Sequence, residues 1–529
     1  MIRILITDKL AQEGIDLINA TDGAEAVVKT GISEDELAEI IKDYDGLIIR
    51  SGTKVTEKVL ANPGRLKGVA RAGVGVDNID VPAATRKGIL VMNTPGGNTL
   101  SAAEHTMALM LAMSRNVVQA CNSLKAGAWD RKKYTGNQLN NKVLGVIGLG
   151  RIGMAVAKMA RGFDMKVLGY DPLAAPKDAE QAGVDVTDDI NRIFHEADYI
   201  SLHVPKNAQT LNMIGAEQIA MMKPTVRLVN CARGGIVNED DLYQALSEKK
   251  IAGAALDVFS SEPPQNDGFA ELDNCVVTPH LGASTEEAQV EVAVEAAEIL
   301  LDAVKGGPIR NALNAPSAAG TMPPAVSQYA DLAKRIGRLL STIAPGTIKG
   351  VRVEYRGSIA GMSVEPVTLS FAMGLLQRHF DMPLNMVNTP VLAKERGISI
   401  DETKNTEARD VASSFAATVV TGEVTRTVRG SVFGEMLLRI IEIDGFHIEM
   451  TPEGPVLVIF NDDQPGVIGA VGTILGKHGI NIGTMGVGQQ LEQQKAVLAV
   501  SLNKEPDAKA TEELGKLDFV NEMYVCTLD

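Results

Sequence analysis

The sequence predicts an α/β protein with parallel sheets in its first 300 residues, followed by two smaller α+β units. Short β-branched runs such as RILIT, GLIIR, VLGVIG and VRLVN alternate with helical patterns there, as expected when helical crossovers join parallel strands. A breaker-rich stretch, from Gly306 through NAPSAAGTMPPAV, then ends this pattern. From Pro455 onward the order is strand–helix–strand–strand–helix–strand, the ferredoxin-like βαββαβ arrangement.

Two long helical patterns predict helices that connect the parallel-sheet domains. We interpret LSAAEHTMALMLAMSRNVVQACNSLKAG as one continuous helix and STEEAQVEVAVEAAEILLDAVKGG as another. Each ends near a glycine, the usual residue just after a helix C-terminus.

Beyond the linker, QYADLAKRIGRLLSTI predicts a helix, VRVEYRG predicts a strand, and the residues from VTRTVRG onward predict a hairpin.

Composition and charge exclude several classes of protein. The 529 residues carry 51 basic and 66 acidic side chains, a net charge of −15 that speaks against nucleic acid as a partner. The four cysteines lie far apart without a C-x-x-C pair, which argues against a metal site or disulfide scaffold. TMALMLAMS is too short to cross a bilayer, and Met1 leads directly into a strand pattern. We therefore expect a cytoplasmic protein with no metal and no membrane partner.

A glycine motif predicts a dinucleotide site. Gly148, Gly150 and Gly153 follow the strand pattern KVLGVIG and open a helical pattern, and Asp171 ends the next strand pattern 23 positions after Gly148. In this context the first glycine makes a tight turn, the second lets the backbone approach the pyrophosphate, and the third packs closely. Asp171 favours NAD over NADP, because a carboxylate accepts ribose hydroxyl groups and repels a 2′-phosphate. A glycine loop without a ligand is the alternative.

Three later strand patterns end in residues that suit alcohol oxidation. Arg233 follows VRLVN, Asp257 and then Glu262 follow AGAAL, and His280 follows CVV. Because ligands bind at the carboxyl edge of such sheets, we expect these side chains to converge. An arginine can bind a carboxylate, a histidine can accept a hydroxyl proton, and a glutamate can orient the histidine. Taken singly, each could instead be an ordinary strand-end or loop residue.

The motifs GLGRIG, NCARGGIV, LDVF-x-x-EPP and PHLGAST together resemble the D-isomer-specific 2-hydroxyacid dehydrogenase family. RAGVGVDNIDVPAATRKGI and the two C-terminal units make the chain most similar to the long-form D-3-phosphoglycerate dehydrogenases of that family. The resemblance implies two Rossmann-like domains that oxidise D-3-phosphoglycerate to 3-phosphohydroxypyruvate with NAD, the first step of L-serine synthesis. It implies a catalytic set of Arg233, Glu262 and His280. It implies NAD contacts at Arg151, Ile152, Asp171, Val204, Cys231, Arg233, Asp257, His280 and Gly282.

The same resemblance implies substrate contacts from the N-terminal part of the chain. These are Arg50, Ser51 and the glycine loop from Arg71 to Gly75. It also implies a homodimer or homotetramer in which Arg131, within AWDRKKYTG, reaches the phosphate of the partner's substrate. A solvated basic turn is the alternative interpretation of that segment.

The last unit, with FNDDQPGVIGAVGTILGKHGINIGTM, resembles an ACT domain. For this pathway the resemblance implies L-serine as a feedback effector, bound near Asp463 and Asn481. Short polar side chains beside a helix N-terminus suit an amino acid's charged groups, although an ordinary capped turn would look the same. The preceding unit resembles the intervening domain of the long form, which by analogy holds a second effector site.

Four domains are therefore expected: substrate-binding, 1–98 and 283–307; NAD-binding, 99–282; intervening, 318–452; ACT, 455–529. Three alternatives to the proposed activity stay open at this point. The first is another D-2-hydroxyacid dehydrogenase, acting on lactate, glycerate or glyoxylate. The second is an NAD-sensing corepressor with a dehydrogenase fold. The third is a sensor protein whose enzyme half is vestigial.

Overall fold

The computed structural model describes residues 1–171, 173, 176–264, 268–316, 322–434 and 436–528. The predicted domain limits at 318 and 529, and part of the predicted linker, lie outside the described residues. Within those ranges, no helix combines the length and the apolar character that crossing a membrane requires.

The first sheet is parallel and has five strands in the order β2-β1-β3-β4-β5. Its strands are β1 (Ile2–Ile6), β2 (Ala24–Val28), β3 (Gly46–Ile49), β4 (Gly68–Arg71) and β5 (Leu90–Asn93). Its helices are α1 (Gln12–Ala20), α2 (Glu34–Ile40) and α3 (Val81–Arg86). The β3 strand is buried along its whole length, as expected for the centre of a sheet covered on both faces.

The second sheet is also parallel, with seven strands in the order β12-β11-β10-β9-β6-β7-β8. Its strands are β6 (Val143–Ile147), β7 (Lys166–Tyr170), β8 (Asp185–Val186), β9 (Tyr199–Leu202), β10 (Arg227–Asn230), β11 (Gly253–Leu256) and β12 (Cys275–Val277). Its helices are α4 (Thr99–Ser114), α5 (Val117–Lys125), α6 (Arg151–Arg161), α7 (Pro176–Gln181), α8 (Ile190–Glu196), α9 (Ala216–Ala220) and α10 (Glu239–Ser247). The strand order reverses beside β6, the position at which open α/β sheets bind ligands.

The prediction of one continuous helix over residues 100–127 was wrong, because α4 and α5 are separate helices. Asn116 between them has a left-handed backbone with φ +51°, a conformation that asparagine tolerates better than most residues. The carbonyl of Ser114, which a continuing helix would use internally, accepts a hydrogen bond from the amide of Asn137 at 2.8 Å. A tertiary contact thus replaces the next helical hydrogen bond.

The second predicted connecting helix is confirmed as α11 (Glu286–Val304). Its N-cap is Thr285, whose hydroxyl accepts a hydrogen bond from the amide of Ala288. Its buried side chains, among them Ala297 and Leu300, belong to the core of the first sheet. The hydroxyl groups of Ser101 on α4 and Thr285 lie 2.7 Å apart, so the two crossings between the sheets begin side by side.

The third sheet has six strands in the order β14-β13-β15-β16-β17-β18 and is antiparallel except for the β13–β14 pair. Its elements are α12 (Pro324–Ile343), β13 (Ile348–Gly357), α13 (Glu365–Leu376), α14 (Thr389–Glu395), β14 (Ile400–Asn405), β15 (Ser413–Thr421), β16 (Thr425–Phe433), β17 (Leu437–Ile443) and β18 (Phe446–Met450). Helices α12 and α13 approach closely because glycines lie where they touch. A Cβ atom on Gly337 would lie only 2.3 Å from the carbonyl oxygen of Phe371.

The fourth sheet confirms the predicted βαββαβ order. Its elements are β19 (Pro455–Asp462), α15 (Val467–Lys477), β20 (Ile482–Gln490), β21 (Lys495–Leu502), α16 (Ala508–Gly515) and β22 (Val520–Thr527). The strands are antiparallel in the order β20-β21-β19-β22. One face packs on α15 and α16. The other, including Val458 and Val497, is buried together with the core of the third sheet, so the two C-terminal units form one packed body.

Candidate active site

Three glycines shape the loop between β6 and α6. Gly148 has a left-handed backbone with φ +98°, and a Cβ atom there would lie 2.5 Å from the carbonyl oxygen of His203. A Cβ atom on Gly153 would lie 1.9 Å from the carbonyl oxygen of Gly148, whereas one on Gly150 would meet nothing within 4 Å. The turn and the close packing therefore require glycine, and the open side at Gly150 leaves room for a phosphate group beside the N-terminus of α6.

Asp171, at the end of β7, lies beside this loop. One carboxylate oxygen accepts a hydrogen bond from the amide of Leu149 at 2.8 Å, and the other accepts one from the amide of Leu173 at 2.9 Å. The carboxylate is thus fixed at the edge of the glycine loop, where the hydroxyl groups of an adenosine ribose would meet it.

A cavity of about 520 Å³ extends from this loop toward the ends of β10 and β12. The sequence-predicted residues on its wall are Gly75, Gly150, Arg151, Ile152, Val204, Cys231, Arg233, His280 and Gly282. Burial lowers the pKa of His203, also on this wall, to about 4, and raises the pKa of the Cys231 thiol to about 12. These two side chains are therefore neutral near pH 7, and the charged groups of this wall include Arg151 and Arg233.

A second cavity, of about 570 Å³, shares Arg233 and His280 with the first. Ser51, Arg71 and Glu262 also line it. The two cavities meet at the predicted arginine and histidine, so that a substrate in one and a cofactor in the other would be in contact there.

His280 and Glu262 form a hydrogen-bonded pair. Nδ1 of His280 lies 2.7 Å from Oε2 of Glu262, and Oε1 of Glu262 accepts a hydrogen bond from the amide of Phe259 at 3.1 Å. Burial opposes ionisation of Glu262, but its bonds to His280 and Phe259 outweigh that effect and lower its pKa. Because the carboxylate binds Nδ1, the Nε2 atom of His280 is left for a ligand.

The backbone of His280 lies in the left-handed region, with φ +55°. Asp257 accepts hydrogen bonds from three successive backbone amides that begin at this residue. The carbonyl of Asp257 accepts a hydrogen bond from the amide of His280, and its carboxylate accepts bonds from the amides of Leu281 and Gly282, each at 2.8 Å. The same carboxylate lies 3.1 Å from Nε2 of His105, on α4. Burial opposes ionisation of Asp257, but these partners outweigh it and lower its pKa. Asp257, predicted as a cofactor contact, thus has its carboxylate engaged by the protein.

Arg233 is fixed from two sides. Its Nε lies 3.1 Å from a carboxylate oxygen of Asp77, and its Nη1 donates to the carbonyl of Ala232 at 2.7 Å. Gly75 lies beneath the guanidinium, since a Cβ atom there would lie 1.8 Å from Nη2. Position 75 therefore requires glycine, because a side chain there would collide with Arg233, which follows a strand of the other sheet.

Two further predicted cations lie at the ends of the strands of the first sheet. The Nε atoms of Arg50 and Arg71 are buried without a hydrogen-bond partner among the described residues. Burial, with the charge of Arg233 nearby, lowers the pKa of Arg71 to about 10. Arg71 lines the second cavity, whereas Arg50 lines neither cavity. A half-buried cation that forms no ion pair within the described residues, on a cavity wall, suits an anionic ligand.

The remaining predicted residues lie away from this cleft. Arg131 is exposed in the segment between α5 and β6 and lines neither cavity. In the fourth sheet, the carboxylate of Asp463 accepts hydrogen bonds from Gln489 at 3.0 Å, and the amide of Asn481 donates to Asn503 at 2.8 Å. The structure gives Asp463 and Asn481 different partners and does not join them in one contact.

Four residues near the site were not predicted from the sequence: Lys54, Asp77 and Lys206, which line the cavities, and His105, which lies 3.1 Å from Asp257. Lys54 and Lys206 follow β3 and β9, so the strand-end argument used for Arg233 would have found them. No comparable signal marks His105, because it lies inside an apolar helix and its partner Asp257 is 152 residues away.

Three family models match the chain. The NAD-binding domain of the D-isomer-specific 2-hydroxyacid dehydrogenases matches residues 107–282, the intervening domain of D-3-phosphoglycerate dehydrogenase matches 325–444, and the ACT domain matches 455–519.

The chain is 41% identical to D-3-phosphoglycerate dehydrogenase from Synechocystis sp., covering 100% of this chain and 95% of that one. It is 40% identical to the enzyme of that name from Methanocaldococcus jannaschii, over 100% of both chains. The chain belongs to the D-3-phosphoglycerate dehydrogenase family. It is thus an oxidoreductase of the 2-hydroxyacid dehydrogenase class with NAD as its cofactor, which confirms the resemblance found in the sequence.

Among solved structures, D-lactate dehydrogenase from Aquifex aeolicus, complexed with NAD and lactic acid, is similar to the first two domains of this family member. The two are 31% identical with a TM-score of 0.52, over 59% of this chain and 100% of the other. This likeness, together with the observed sheets, confirms the predicted fold class of two Rossmann-like domains followed by α+β units.

Proposed function

We propose that this chain oxidises D-3-phosphoglycerate to 3-phosphohydroxypyruvate, with Arg233, Glu262 and His280 as its catalytic residues. The observation that carries the proposal is the 2.7 Å contact between His280 and Glu262, on a cavity wall that also presents Arg71 and Arg233. NADH formation with D-3-phosphoglycerate at alkaline pH tests it, with D-lactate and D-glycerate as comparison substrates. Oxidation of either comparison substrate without turnover of D-3-phosphoglycerate would contradict it.

The proton and the carboxylate of the substrate have separate partners in this mechanism. Nε2 of His280 accepts the proton of the C2 hydroxyl group as the C2–H bond breaks. Glu262, ionised because its pKa is lowered, stabilises the positive charge that forms on the imidazole and fixes its tautomer. Arg233 binds the substrate carboxylate and polarises the carbonyl group as it forms.

Two features of the chain suit NAD in and beside the first cavity. The space next to Gly150 can receive a phosphate group, and the carboxylate of Asp171 can accept hydrogen bonds from ribose hydroxyl groups. Arg151 and Ile152 would hold the pyrophosphate at the N-terminus of α6. When bound, NAD supplies the acceptor for the hydride from C2. Asp171→Ala should raise the KM for NAD and reduce the preference for NAD over NADP, and an unchanged preference would contradict the role given to this carboxylate.

L-serine is the effector we propose for the ACT domain, with Asp463 and Asn481 near its binding site. Two contacts connect that domain, through the third-sheet unit, to the first sheet. Arg426 of the third sheet forms a partly buried ion pair with Glu522 of the fourth. The side chain of Asn385, in the third-sheet unit, donates to the carbonyl of Gly88, before β5, at 2.8 Å. Isothermal titration with L-serine tests the proposal. Asp463→Ala should weaken binding, whereas Glu492→Gln, on an exposed turn, should not.

A homodimer or homotetramer is supported by exposed apolar side chains on one part of the second domain. Val117, Leu124 and Trp129 are 53%, 56% and 76% exposed, more than a single soluble surface helix and its loop usually present. Arg131 lies in the same loop as Trp129, and we propose that it reaches the substrate of the partner subunit. Light scattering coupled to size-exclusion chromatography measures the assembly, which Leu124→Glu should disrupt.

The four domain ranges given above are kept as part of this proposal, and limited proteolysis would test their limits. We propose a cytoplasmic location because Cys121, Cys231 and Cys526 form no disulfide within the described residues. Such usage fits a reducing compartment.

A further inference from the structure

Two lysines on the second cavity, Lys54 and Lys206, have no role in the mechanism described so far. Lys54 follows β3 of the first sheet, and Lys206 follows β9 of the second sheet. Both line the cavity that holds Arg71, Glu262 and His280. Because they come from different sheets, they approach a ligand in this cavity from two domains.

Neither lysine forms a hydrogen bond or an ion pair within the described residues. Lys58, four residues after Lys54, does form an ion pair, with Asp35. Lys54 and Lys206 are both exposed, so a ligand that enters the cavity can reach their ammonium groups. Their charge is available to an anion without first breaking a contact in the protein.

The substrate has two anionic groups, a carboxylate beside the reacting carbon and a phosphate at its other end, and both need cations. Its carboxylate is bound by Arg233, beside His280, but its phosphate group carries close to two further negative charges near neutral pH. Arg131 of the same chain lines neither cavity. Within one chain, the unpaired cations of this wall are therefore Arg71 and the two lysines.

We propose that Lys54 and Lys206 bind the phosphate group of the substrate and thereby select phosphorylated over unphosphorylated 2-hydroxy acids. A lysine ammonium is a compact, mobile charge that suits a phosphate, whereas the planar fork of an arginine matches a carboxylate. This proposal rests on the proposed activity and adds to it the residues that determine specificity.

The test compares D-3-phosphoglycerate with D-glycerate, which differs by the phosphate alone. Lys54→Met and Lys206→Met should each lower kcat/KM for D-3-phosphoglycerate about 10-fold to 100-fold, mainly through KM. The values for D-glycerate should change less than about twofold. Lys54→Arg and Lys206→Arg should retain part of the kcat/KM that the methionine variants lose. Lys58→Met, the matched control, should not change kcat/KM for either substrate.

Equal losses with both substrates would overturn the proposal, since they indicate a structural role. An increase confined to the KM for NAD in Lys206→Met would also overturn it, because Lys206 lines the cofactor cavity too. If the wild-type enzyme oxidises neither compound, the proposed activity fails. Stabilisation by inorganic phosphate in a thermal melt then tests the lysines separately: it should occur in the wild type and disappear in the double variant, and its persistence there would overturn the proposal.

Discussion

Asp77 and Arg233 form an ion pair at 3.1 Å that joins the two parallel-sheet domains across the cleft. Asp77 follows β4 of the first sheet, and Arg233 follows β10 of the second. The pair occupies Nε of the guanidinium, while Nη1 is bound to the carbonyl of Ala232. Residues of both domains thus fix the orientation of the guanidinium and of its remaining N–H groups. The position of a carboxylate bound to those groups therefore depends on how the two domains are placed relative to each other.

The first prediction concerns this pair. Asp77→Asn should raise the KM for D-3-phosphoglycerate about twofold to tenfold and leave kcat nearly unchanged, because the pair is partly exposed and orients Arg233 without taking part in proton transfer. Steady-state kinetics measures both values. Asp80→Asn is a matched control, since Asp80 lines the same cavity and its Oδ1 accepts from the amide of Ala83, which an amide oxygen can also do. An equal effect of both substitutions would contradict the role of Asp77.

The second prediction concerns proton transfer. His280→Ala should lower kcat at least about 100-fold, equivalent to about 3 kcal/mol of barrier, because it removes the general base that we propose. Glu262→Gln should lower kcat by a smaller factor while the geometry is retained. Since the two residues act as a unit, the double variant should be no slower than His280→Ala alone. Additive losses in single-turnover kinetics would contradict a shared role.

The third prediction follows from the lowered pKa of Glu262. A carboxyl group whose pKa is lower in the folded than in the unfolded state adds stability above its unfolded pKa, about 4.3 for Glu, and this contribution is lost as pH falls through the folded value. Between pH 7 and pH 3, the wild type should therefore lose more thermal stability than Glu262→Gln. Melting temperatures at both pH values test this, and parallel losses would contradict it.

Much of the fold was predictable because its signals are local. The strand patterns named for the first 300 residues, among them RILIT, GLIIR, VLGVIG and VRLVN, all correspond to strands, whereas no pattern was predicted for β2, β5 or β8. The β2 strand, AEAVV, has no fully buried residue, and β8 has only two residues, so neither carries the apolar run that marks a buried strand. The division between α4 and α5 depends on the tertiary bond to Ser114, which no local pattern contains.

The candidate site was predictable where chemistry follows strand ends. Arg233, Glu262 and His280 were found in this way, and the structure places them on one cavity wall. Lys54 and Lys206 were overlooked because an isolated lysine is usually a solvated surface residue. His105 could not be found, since its contact with Asp257 exists only after α4 has packed on the second sheet.

The fourth prediction concerns Arg71, an unpaired cation on the wall of the second cavity. The Arg71 guanidinium is half-buried and forms no ion pair within the described residues, so Arg71→Met should raise the melting temperature of the ligand-free enzyme slightly. It should also remove most of the stabilisation that D-3-phosphoglycerate gives the wild type, because that ligand supplies the missing anion. Arg71→Lys keeps the charge and should retain part of the ligand effect. A ligand-induced shift of wild-type size in Arg71→Met would contradict this account.

The fifth prediction concerns His105, which lies 3.1 Å from the Asp257 carboxylate that binds the amides of Leu281 and Gly282. We infer that His105 is a positioning residue, because Asp257 holds His280 in a left-handed backbone that costs about 1–3 kcal/mol. His105→Leu should lower kcat about tenfold with little change in the KM for substrate, and His105→Gln, whose amide can still donate, should recover part of the loss.

Glu104→Gln is the matched control for His105, because Glu104 is the exposed neighbour on the same helix. It should leave kcat unchanged. A structural defect alone would lower the melting temperature of His105→Leu and reduce the active fraction without altering the pH profile of kcat. If His280 is displaced from Glu262 instead, the pH profile of kcat changes in His105→Leu and returns toward the wild type in His105→Gln. An unchanged profile in both variants would show that the bond between His105 and Asp257 does not control the catalytic histidine.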